Sequence, residues 1–393
     1  MSARAGSKPP RAMATFLVGG AVRDGLLGLK VEERDWVVVG GDPAAMCALG
    51  FEPIDAQFPV FRHPETGDEF ALARRETKRG PGYRGFAVEA GPDVALEDDL
   101  RRRDLTINAM AQADDGTLID PFAGREDLDA GLLRHVSPAF VEDPLRVLRA
   151  ARFAAKLGAF GFRVAHETHR LMCEMVAAGT MREIPAERVG RETLRAMQTP
   201  RPWRYLEVLH RCNALHDLLP SLAEAMGEAA SHADIADPPP VAALKRATAA
   251  SSEPVERLLA ALWPVMHSAG DAETFVARLR LDRTAAQLLR RAAAASHLCR
   301  RAACHDREAV VELAVQWQGL PATQRHALVG ACAAQSTMPG LETMLDAAID
   351  AARSTDVTGL RRMGLSGKIL GEAIDRSRRD AAAAVLAGAS RLS

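Results

Sequence analysis

Residues 16–28 read FLVGGAVRDGLLG and carry the first strong structural signal of the chain. An apolar run leads into Gly19 and Gly20, and a helical pattern starts near Ala21, so the segment predicts a strand, a glycine turn and a helix. Glycines let a phosphate approach the backbone, and the helix N-terminus offers free N–H groups. Arg23 opposes the preference for acidic residues in a first helical turn, and a bound triphosphate would explain its presence. Taken alone, the segment fits a phosphate-binding turn and a plain glycine turn equally well.

A pair of acidic residues stands at the next apolar run, in ERDWVVVG at 33–40. If Glu33 and Asp35 lie on one strand, their side chains point to the same face, with Cα atoms about 6–7 Å apart. Converging carboxylates suit Mg²⁺, and two such ions can clamp the attacking and leaving oxygens of a phosphoryl displacement. An acidic pair on a strand usually forms only a solvated face. Because this pair closely follows the glycine turn, the metal interpretation is favoured.

The order of segments predicts a head that mixes strands and helices, followed by an all-helical remainder. With the family resemblance described below, the expected fold class is α+β, with a mixed-sheet head and a helical neck, body and tail. In the head, short β-branched or aromatic runs alternate with glycine-rich turns and helical stretches, and the strands are predicted to end after Leu132. A stretch rich in Pro, Ala and Ser interrupts the helical part and is typical of a linker. The predicted segments are a disordered extension at 1–12, the head at 13–135, a helical neck and body at 136–226, a linker-like stretch at 227–253 and a helical tail at 254–393.

Composition excludes several protein classes. The 393 residues suit two to three domains, and 48% hydrophobic with 26% charged residues exclude a disordered or collagen-like chain. The longest apolar runs fall short of the ~18 residues of a membrane span, and the start lacks the apolar core of a secretory signal. Six cysteines without a CxxC pair indicate reduced thiols. We therefore expect a cytoplasmic protein with no membrane partner.

The charge distribution is a weaker signal. The formal net charge of −1 does not by itself indicate a nucleic-acid partner. Residues 241–393 contain 20 Lys and Arg against 15 Asp and Glu, near +5, which leaves 30 against 36, near −6, for residues 1–240. A basic C-terminal part is compatible with binding a polyanion. An excess this small is more typical of an ordinary solvated surface.

The ordered motifs resemble those of class II tRNA nucleotidyltransferases, the CCA-adding enzymes, which are similar to bacterial poly(A) polymerases. After the two segments quoted above, the resemblance continues through FPVFRHPETGDEFALARRETKRGPGYRGF (58–86), LEDDLRRRDLTINAMA (96–111), IDPFAGREDL (119–128), RHVSPAFVEDPLRVLRAARFAA (134–155) and IPAERVGRE (184–192). It covers roughly residues 16–215. DWVVVG and the segment 58–74 favour the long bacterial CCA-adding type over poly(A) polymerase. The resemblance implies a polymerase-β-like nucleotidyltransferase head.

The resemblance also implies roles for the residues of the head motifs. Gly20 and Arg23 would hold the phosphates of a nucleoside triphosphate. Glu33 and Asp35 would bind Mg²⁺, and Glu69 stands where the family can offer a further carboxylate. In LRRRDLTINA, Arg103 would reach the nucleotide, with Asp104 and Asn108 near its ribose.

The segment EDPLRVLRAARF (142–153) carries the information on specificity. Asp143 before Pro144 predicts a helix cap followed by proline at the first helical position. Arg146, Arg149 and Arg152 recur every three residues, and they repel one another unless an anion or a base edge occupies their face. Arginine donates and carboxylate accepts, so together they can read a base edge. The resemblance implies a protein template in which Asp143 and Arg146 face the base, while Arg149 and Arg152 complete the nucleotide pocket.

Two features depart from the family pattern. Glu33 stands where the family normally has Asp, and its extra methylene moves the carboxylate by about 1.5 Å, so either the backbone compensates or activity falls. The tail segment 254–282 resembles a shortened phosphohydrolase domain of the HD type that lacks its His and Asp ligands. His216-Asp217 is interpreted as a helix-end pair rather than a ligand set. We therefore predict no phosphohydrolase activity.

The predicted function is that of a CTP(ATP):tRNA nucleotidyltransferase that adds C, C and A to a tRNA 3′ end without a nucleic-acid template. The expected partners are CTP, ATP and the acceptor half of tRNA, with Mg²⁺ as cofactor and no DNA. Two alternatives stay open. One is a poly(A) polymerase or an enzyme that adds only CC or only A. The other is a catalytically weakened tRNA-binding relative, suggested by Glu33 and the missing HD ligands.

Overall fold

A computed structural model of the chain describes residues 13–55, 58–78, 86–227, 237–337 and 339–389. The predicted disorder of residues 1–12 concerns a segment outside the described residues. The chain divides into two compact units between Ile184 and Pro185. The predicted segment boundaries after residues 135, 226 and 253 stay predictions.

The N-terminal unit is built on a seven-stranded mixed sheet in the order β3-β4-β5-β2-β1-β8-β9. Its strands are β1 (Ala14–Val18), β2 (Asp35–Val39), β3 (Glu52–Pro53), β4 (Val60–Arg62), β5 (Glu69–Leu72), β6 (Arg74–Lys78), β7 (Phe86–Ala90), β8 (Ala111–Gln112), β9 (Leu118–Ile119), β10 (Leu132–Leu133) and β11 (Arg163–Val164). Its α-helices are α1 (Gly20–Leu26), α2 (Pro43–Ala48), α3 (Leu96–Arg101), α4 (Gly124–Asp129), α5 (Leu145–Leu157) and α6 (His166–Ala177). The central strand β2 runs antiparallel to β1 and parallel to β5. The predicted mixed-sheet head is confirmed.

The unbroken valine run of β2 reflects burial on both faces of the sheet. Val37 and Val39 pack with Val18 and residues of α3 and β8 on one face, and Val38 packs with Met46 and the strands β4 and β5 on the other. A strand covered on both sides is hydrophobic at successive positions instead of alternating. Asp35, at the start of this strand, remains exposed.

Strands do not end at Leu132, so that prediction is wrong. The short strand β11 pairs in parallel with β10 in a separate two-stranded sheet. A strand of two residues shows no measurable period in the sequence, because alternation needs at least four residues to be recognised.

The C-terminal unit is helical throughout its described residues. Its α-helices are α7 (Ala186–Met197), α8 (Trp203–Arg211), α9 (Ala214–Leu218), α10 (Pro220–Met226), α11 (Pro239–Ala250), α12 (Pro254–Leu262), α13 (Ala269–Leu279), α14 (Arg283–Ala303), α15 (Arg307–Trp317), α16 (Ala322–Ala333), α17 (Leu341–Arg353), α18 (Val357–Arg362) and α19 (Gly367–Ala389). The predicted helical remainder is confirmed for this unit.

The linker-like stretch 227–253 is mostly a helix where it is described. Residues 239–250 form α11, which packs against α12 with Val241, Leu244 and Ala247 buried. Proline is tolerated in a first helical turn because its missing N–H would be unpaired there. The proline cluster therefore marks the start of a helix and not a linker. Residues 228–236 lie outside the described part of the chain.

Two close contacts hold the first helices of this unit together. Gly190 of α7 faces the end of α13, where a Cβ would lie 1.7 Å from the Leu279 carbonyl oxygen, so only glycine fits. Arg257 of α12 is buried and donates to the carbonyls of Met197 and Thr199 at 2.8 and 3.2 Å. The residues around the α7 C-terminus are thereby fixed to the helices that follow. Across the ranges that the structure describes, none of the helices has both the length and the apolar character to cross a bilayer.

Candidate active site

The glycine turn joins β1 to α1 as expected. Gly19 has a φ of 67°, and the helix begins at Gly20. A Cβ at Gly19 would lie only 2.8 Å from Nη1 of Arg103. Gly19 therefore serves two purposes, since it permits the left-handed backbone of the turn and leaves room for the Arg103 guanidinium.

The acidic residues lie directly beside this turn. Asp35 is the first residue of β2, opposite Val18 on β1 and opposite Glu69 on β5. Glu33 lies two residues before the strand, so the expected shared strand face does not apply to it. Although Asp35 is exposed as a residue, partial desolvation of its carboxyl by the neighbouring protein raises its pKa; the charge of Arg103 lowers the pKa, and the charges of Glu69 and Glu33 raise it further. The three carboxylates and Arg103 are thus close enough to interact electrostatically.

These carboxylates suit a hard divalent cation. Within the described ranges, no three His, Cys, Asp or Glu side chains are grouped closely enough to form a ready-made metal site. Mg²⁺ requires less, because it is commonly bound by one or two carboxylates, several waters and substrate phosphates. A cation would also relieve the repulsion among the carboxylates that surround Asp35. The donor set therefore fits Mg²⁺ bound together with a nucleotide.

The RRRD segment is organised by the buried carboxylate of Asp99. Arg102 Nη2 donates to one carboxylate oxygen at 2.6 Å and Arg103 Nη2 to the other at 3.2 Å. Burial would raise the pKa of Asp99, but the charges and hydrogen bonds of both arginines outweigh it and lower the pKa. Arg103 also donates to the Asn108 carbonyl at 3.3 Å, which fixes its guanidinium over Gly19.

A second buried carboxylate, Asp104, accepts hydrogen bonds from three directions. The donors are Arg149 Nε at 2.6 Å, the Leu105 N–H at 2.9 Å and Asn108 Nδ2 at 3.0 Å. Burial alone would raise the pKa of Asp104, yet the Arg149 charge and the hydrogen bonds hold it far below its usual range. Asp104 and Asn108, expected near a ribose, thus form part of a hydrogen-bonded network that reaches α5.

Arg23 is buried in the same network. It is 3% exposed, its Nε donates to Asp24 Oδ1 at 2.8 Å and its Nη1 donates to Asn108 Oδ1. The guanidinium carbon lies 5.0 Å from the centre of the Phe153 ring. Direct phosphate binding by Arg23 stays a prediction; in the structure, protein groups hold its guanidinium beneath the turn that contains Gly20.

The helix that carries Arg146, Arg149 and Arg152 is α5, and it begins one residue later than predicted, with Pro144 in the N-cap position instead of the first helical position. Asp143 Oδ1 accepts the N–H of Leu145, the first residue of α5, at 3.0 Å. Arg146 is buried and donates to the carbonyls of Ala139 at 2.7 Å and Arg102 at 2.6 Å. These contacts fix the first turn of α5 to the RRRD segment.

The positive charges of Arg149 and Arg152 on α5 are partly compensated by groups of the protein. Arg149 pairs with Asp104, and the Arg152 guanidinium carbon lies 4.6 Å from the centre of the Phe153 ring. A cation over an aromatic face is stabilised by the ring quadrupole. A bound anion or base is therefore not required to offset the repulsion among these arginines, because the fold itself supplies a carboxylate and a ring.

Comparisons with known proteins agree on one family. Residues 15–134 match the poly A polymerase head domain, and residues 161–226 match the probable RNA and SrmB-binding site of polymerase A. A relative from Thioalkalivibrio sulfidiphilus called "Multifunctional CCA protein" is 60% identical over 215 residues, which are 55% of this chain and 53% of that protein.

Within residues 15–226, the chain is similar to poly(A) polymerases and CCA-adding enzymes. The chain spans about half the length of the curated relatives that it matches. Nucleotidyltransferases of this family generally use divalent metal ions.

Solved structures extend the likeness in fold beyond the matched sequence. A CCA-adding enzyme in an apo form covers 94% of this chain and 88% of its own length, with a TM-score of 0.71 and 23% identity. The Thermotoga maritima CCA-adding enzyme complexed with tRNA covers 96% and 91%, with a TM-score of 0.67 and 21% identity. The fold of the chain, including its helical C-terminal unit, is therefore similar to that of these two solved structures.

Three residues that contact the family motifs were missed by the sequence analysis. Asp24 binds Arg23, Phe153 packs against the arginines, and Lys156 Nζ binds Asp24 Oδ2 at 2.9 Å. Phe153 and Lys156 follow Arg149 at intervals of four and seven residues, which places all three on one helix face. That spacing was a usable signal, but it does not identify the partner of the face.

The His216–Asp217 pair fits the structural interpretation of a helix-end pair. His216 is exposed on the short helix α9, and the Asp217 carbonyl accepts from Arg278 Nη1 at 3.0 Å. The absence of phosphohydrolase activity stays a prediction.

Proposed function

We propose that this chain is a CTP(ATP):tRNA nucleotidyltransferase that adds C, C and A to tRNA 3′ ends. The observation that carries the proposal is the placement of Asp35, flanked by Glu69 and Glu33, next to the Gly19 turn and Arg103. This arrangement brings together a phosphate-binding turn, carboxylates for a divalent cation and a guanidinium, as transfer of a nucleotidyl group needs. The 60% identity to a protein named for CCA supports the choice of substrate.

In the proposed reaction the terminal 3′-hydroxyl of the RNA attacks the α-phosphorus in line, and pyrophosphate leaves. The N–H groups at the start of α1 and the Arg103 guanidinium bind the negatively charged phosphates. Glu33 and Asp35 would hold Mg²⁺, with Glu69 beside them, and the metal would supply neutralisation of charge on the transferred group. The protein's own contribution is positioning and electrostatic stabilisation, and no covalent intermediate is required.

Nucleotide choice is assigned to the first turn of α5. Asp143 supplies an acceptor and Arg146 supplies donors, so the pair can complement the edge of a base. Arg146 already donates to two carbonyls, so its guanidinium is preorganised and loses less conformational entropy when a nucleotide binds. Arg149 and Arg152 complete the pocket next to Asp104 and Phe153.

The proposed RNA partner is the acceptor half of tRNA. The excess of basic residues in 241–393 supports contacts to backbone phosphates, and the Thermotoga maritima enzyme of the same fold was solved with tRNA. Binding through phosphates predicts an affinity that falls steeply as salt rises. A cytoplasmic location stays a prediction.

A poly(A) polymerase is the second candidate, because the head matches the domain named for that enzyme. The two functions differ in the nucleotides that they add. A tRNA transcript lacking CCA is incubated with Mg²⁺ and labelled CTP, ATP or both, and the products are resolved to single nucleotides.

The proposal predicts two added Cs from CTP, followed by one A only when ATP is present. Long A-tracts from ATP alone would establish the second candidate. Binding of tRNA without any addition would indicate a catalytically weakened relative, for which Glu33→Asp is the rescue variant.

A further inference from the structure

Lys156 and Asp24 connect α5 to α1, the helix that follows the Gly19–Gly20 turn. Lys156 Nζ on α5 lies 2.9 Å from Asp24 Oδ2 on α1, and the two residues are 132 positions apart in the chain. Asp24 is 13% exposed and Lys156 is 36% exposed. An ion pair with one mostly buried partner is screened less by solvent than a surface pair. No motif discussed above assigns a role to this pair.

The pair supports Arg23. The other oxygen of Asp24, Oδ1, accepts from Arg23 Nε at 2.8 Å, so Lys156 and Arg23 bind the two oxygens of one carboxylate. Loss of Lys156 would leave Asp24 with a single cationic partner and free to rotate. The orientation of Arg23 beneath the turn thus depends on a residue of α5.

Phe153 is the second support. Its ring is contacted by the guanidinium of Arg23 at 5.0 Å and by that of Arg152 at 4.6 Å. Phe153 and Lys156 are adjacent on the face of α5 that meets α1. They therefore link the arginines that are proposed to line the nucleotide pocket with the turn that is proposed to bind the phosphates.

Arg146 donates to the Ala139 and Arg102 carbonyls, neither of which takes part in the Lys156–Asp24–Arg23 contacts. Disturbing the pair should alter the phosphate side of the pocket and leave the base-reading turn in place.

We infer that Lys156, acting through Asp24 and Arg23, is a positioning residue that sets affinity for the triphosphate of both CTP and ATP without setting the choice between them. This inference rests on the proposed function. It assigns the two ends of α5 different tasks: the first turn reads the base, and the Phe153–Lys156 segment aligns the phosphate turn.

The test compares Lys156→Met with Lys156→Arg, using exposed Lys30→Met as the matched control. Steady-state addition to tRNA is measured with varied CTP and then varied ATP. Lys156→Met is expected to raise KM about tenfold for both nucleotides, to change kcat by less than about threefold and to leave the CTP:ATP preference unchanged. Lys156→Arg should restore most of the affinity, because it preserves the charge on Asp24.

A changed CTP:ATP preference, or a loss of kcat at unchanged KM, would overturn the inference. So would wild-type KM in Lys156→Met. If that variant proves unstable, Phe153→Leu offers an independent route, with the same expected rise in KM for both nucleotides.

Calorimetric binding of CTP in the presence of Mg²⁺, without tRNA, separates this inference from the proposed function. Weaker binding by Lys156→Met supports the inference even if the wild-type chain adds no nucleotides. Equal binding by wild type and variant refutes it even if the wild type is a CCA-adding enzyme.

Discussion

Arg103 occupies the space that a side chain at Gly19 would take, with Nη1 2.8 Å from the position of the missing Cβ. The same guanidinium is tied to Asp99 and to the Asn108 carbonyl. The Gly19 turn and the RRRD segment are therefore packed closely against each other, and a change in either should disturb the other.

Gly19→Ala should lower nucleotide addition at least tenfold. The added methyl must displace Arg103, and the φ of 67° costs roughly 1–2 kcal/mol for a residue with a Cβ. Activity and thermal stability are measured together. The matched control is Gly116→Ala, where φ is 85° but no atom lies within 4 Å of the new Cβ. Equal activity losses in the two variants would mean that backbone strain, and not Arg103, is responsible.

Glu33→Gln should reduce the rate of nucleotide addition by about 100-fold or more, because a metal-binding carboxylate is lost. Glu33→Asp should retain activity, since it restores the carboxylate usual in the family. Rates are compared at saturating CTP over a range of Mg²⁺ concentrations. Unchanged activity in Glu33→Gln would exclude Glu33 as a ligand and leave Asp35 with Glu69 as the remaining acidic pair.

Asp104→Asn should destabilise the N-terminal unit by about 3 kcal/mol at pH 7, because it leaves Arg149 without its buried partner. The pKa of Asp104 is lowered in the folded state, so its stabilisation is present above the unfolded pKa of about 3.9 and is lost as pH falls below it. The difference between variant and wild type in denaturant unfolding should therefore shrink below pH 4. A difference that stays constant down to pH 2 would contradict the ion pair.

The cysteine thiols should react with a disulfide reagent at rates that depend on their exposure. Cys47 and Cys304 are exposed, whereas Cys299 and Cys332 are buried with their sulfurs 2.6 Å apart. Burial raises the pKa of Cys299, which further slows its reaction. With a disulfide reagent at pH 8, Cys304→Ser should remove one fast equivalent and Cys299→Ser none. Rapid labelling of Cys299 in the native protein would show that α14 and α16 are not packed as described.

Local pattern was sufficient for the first elements of the head. The run FLVGG followed by a helical period predicted β1, the turn and α1, and the valines after Asp35 predicted β2. These signals are local, because chain periodicity and glycine conformations depend on near neighbours. A helix start near Asp143 was predictable for the same reason, although Pro144 takes the N-cap position that was predicted for Asp143. Prolines 238–240 led to the wrong prediction of a linker, because proline is common both in the first turn of a helix and just after its end.

Tertiary structure alone decided what the site residues touch. Arg23 meets Asn108 across 85 positions, Arg149 meets Asp104 across 45, and Lys156 meets Asp24 across 132. Helical spacing shows that Arg149, Phe153 and Lys156 share a face, yet it cannot show which carboxylate or ring that face meets. Pairing between distant segments depends on how the elements pack. The sequence therefore determined which residues are present on each element, and the packing of α1, α5 and the Asp104–Asn108 turn determined how they are combined.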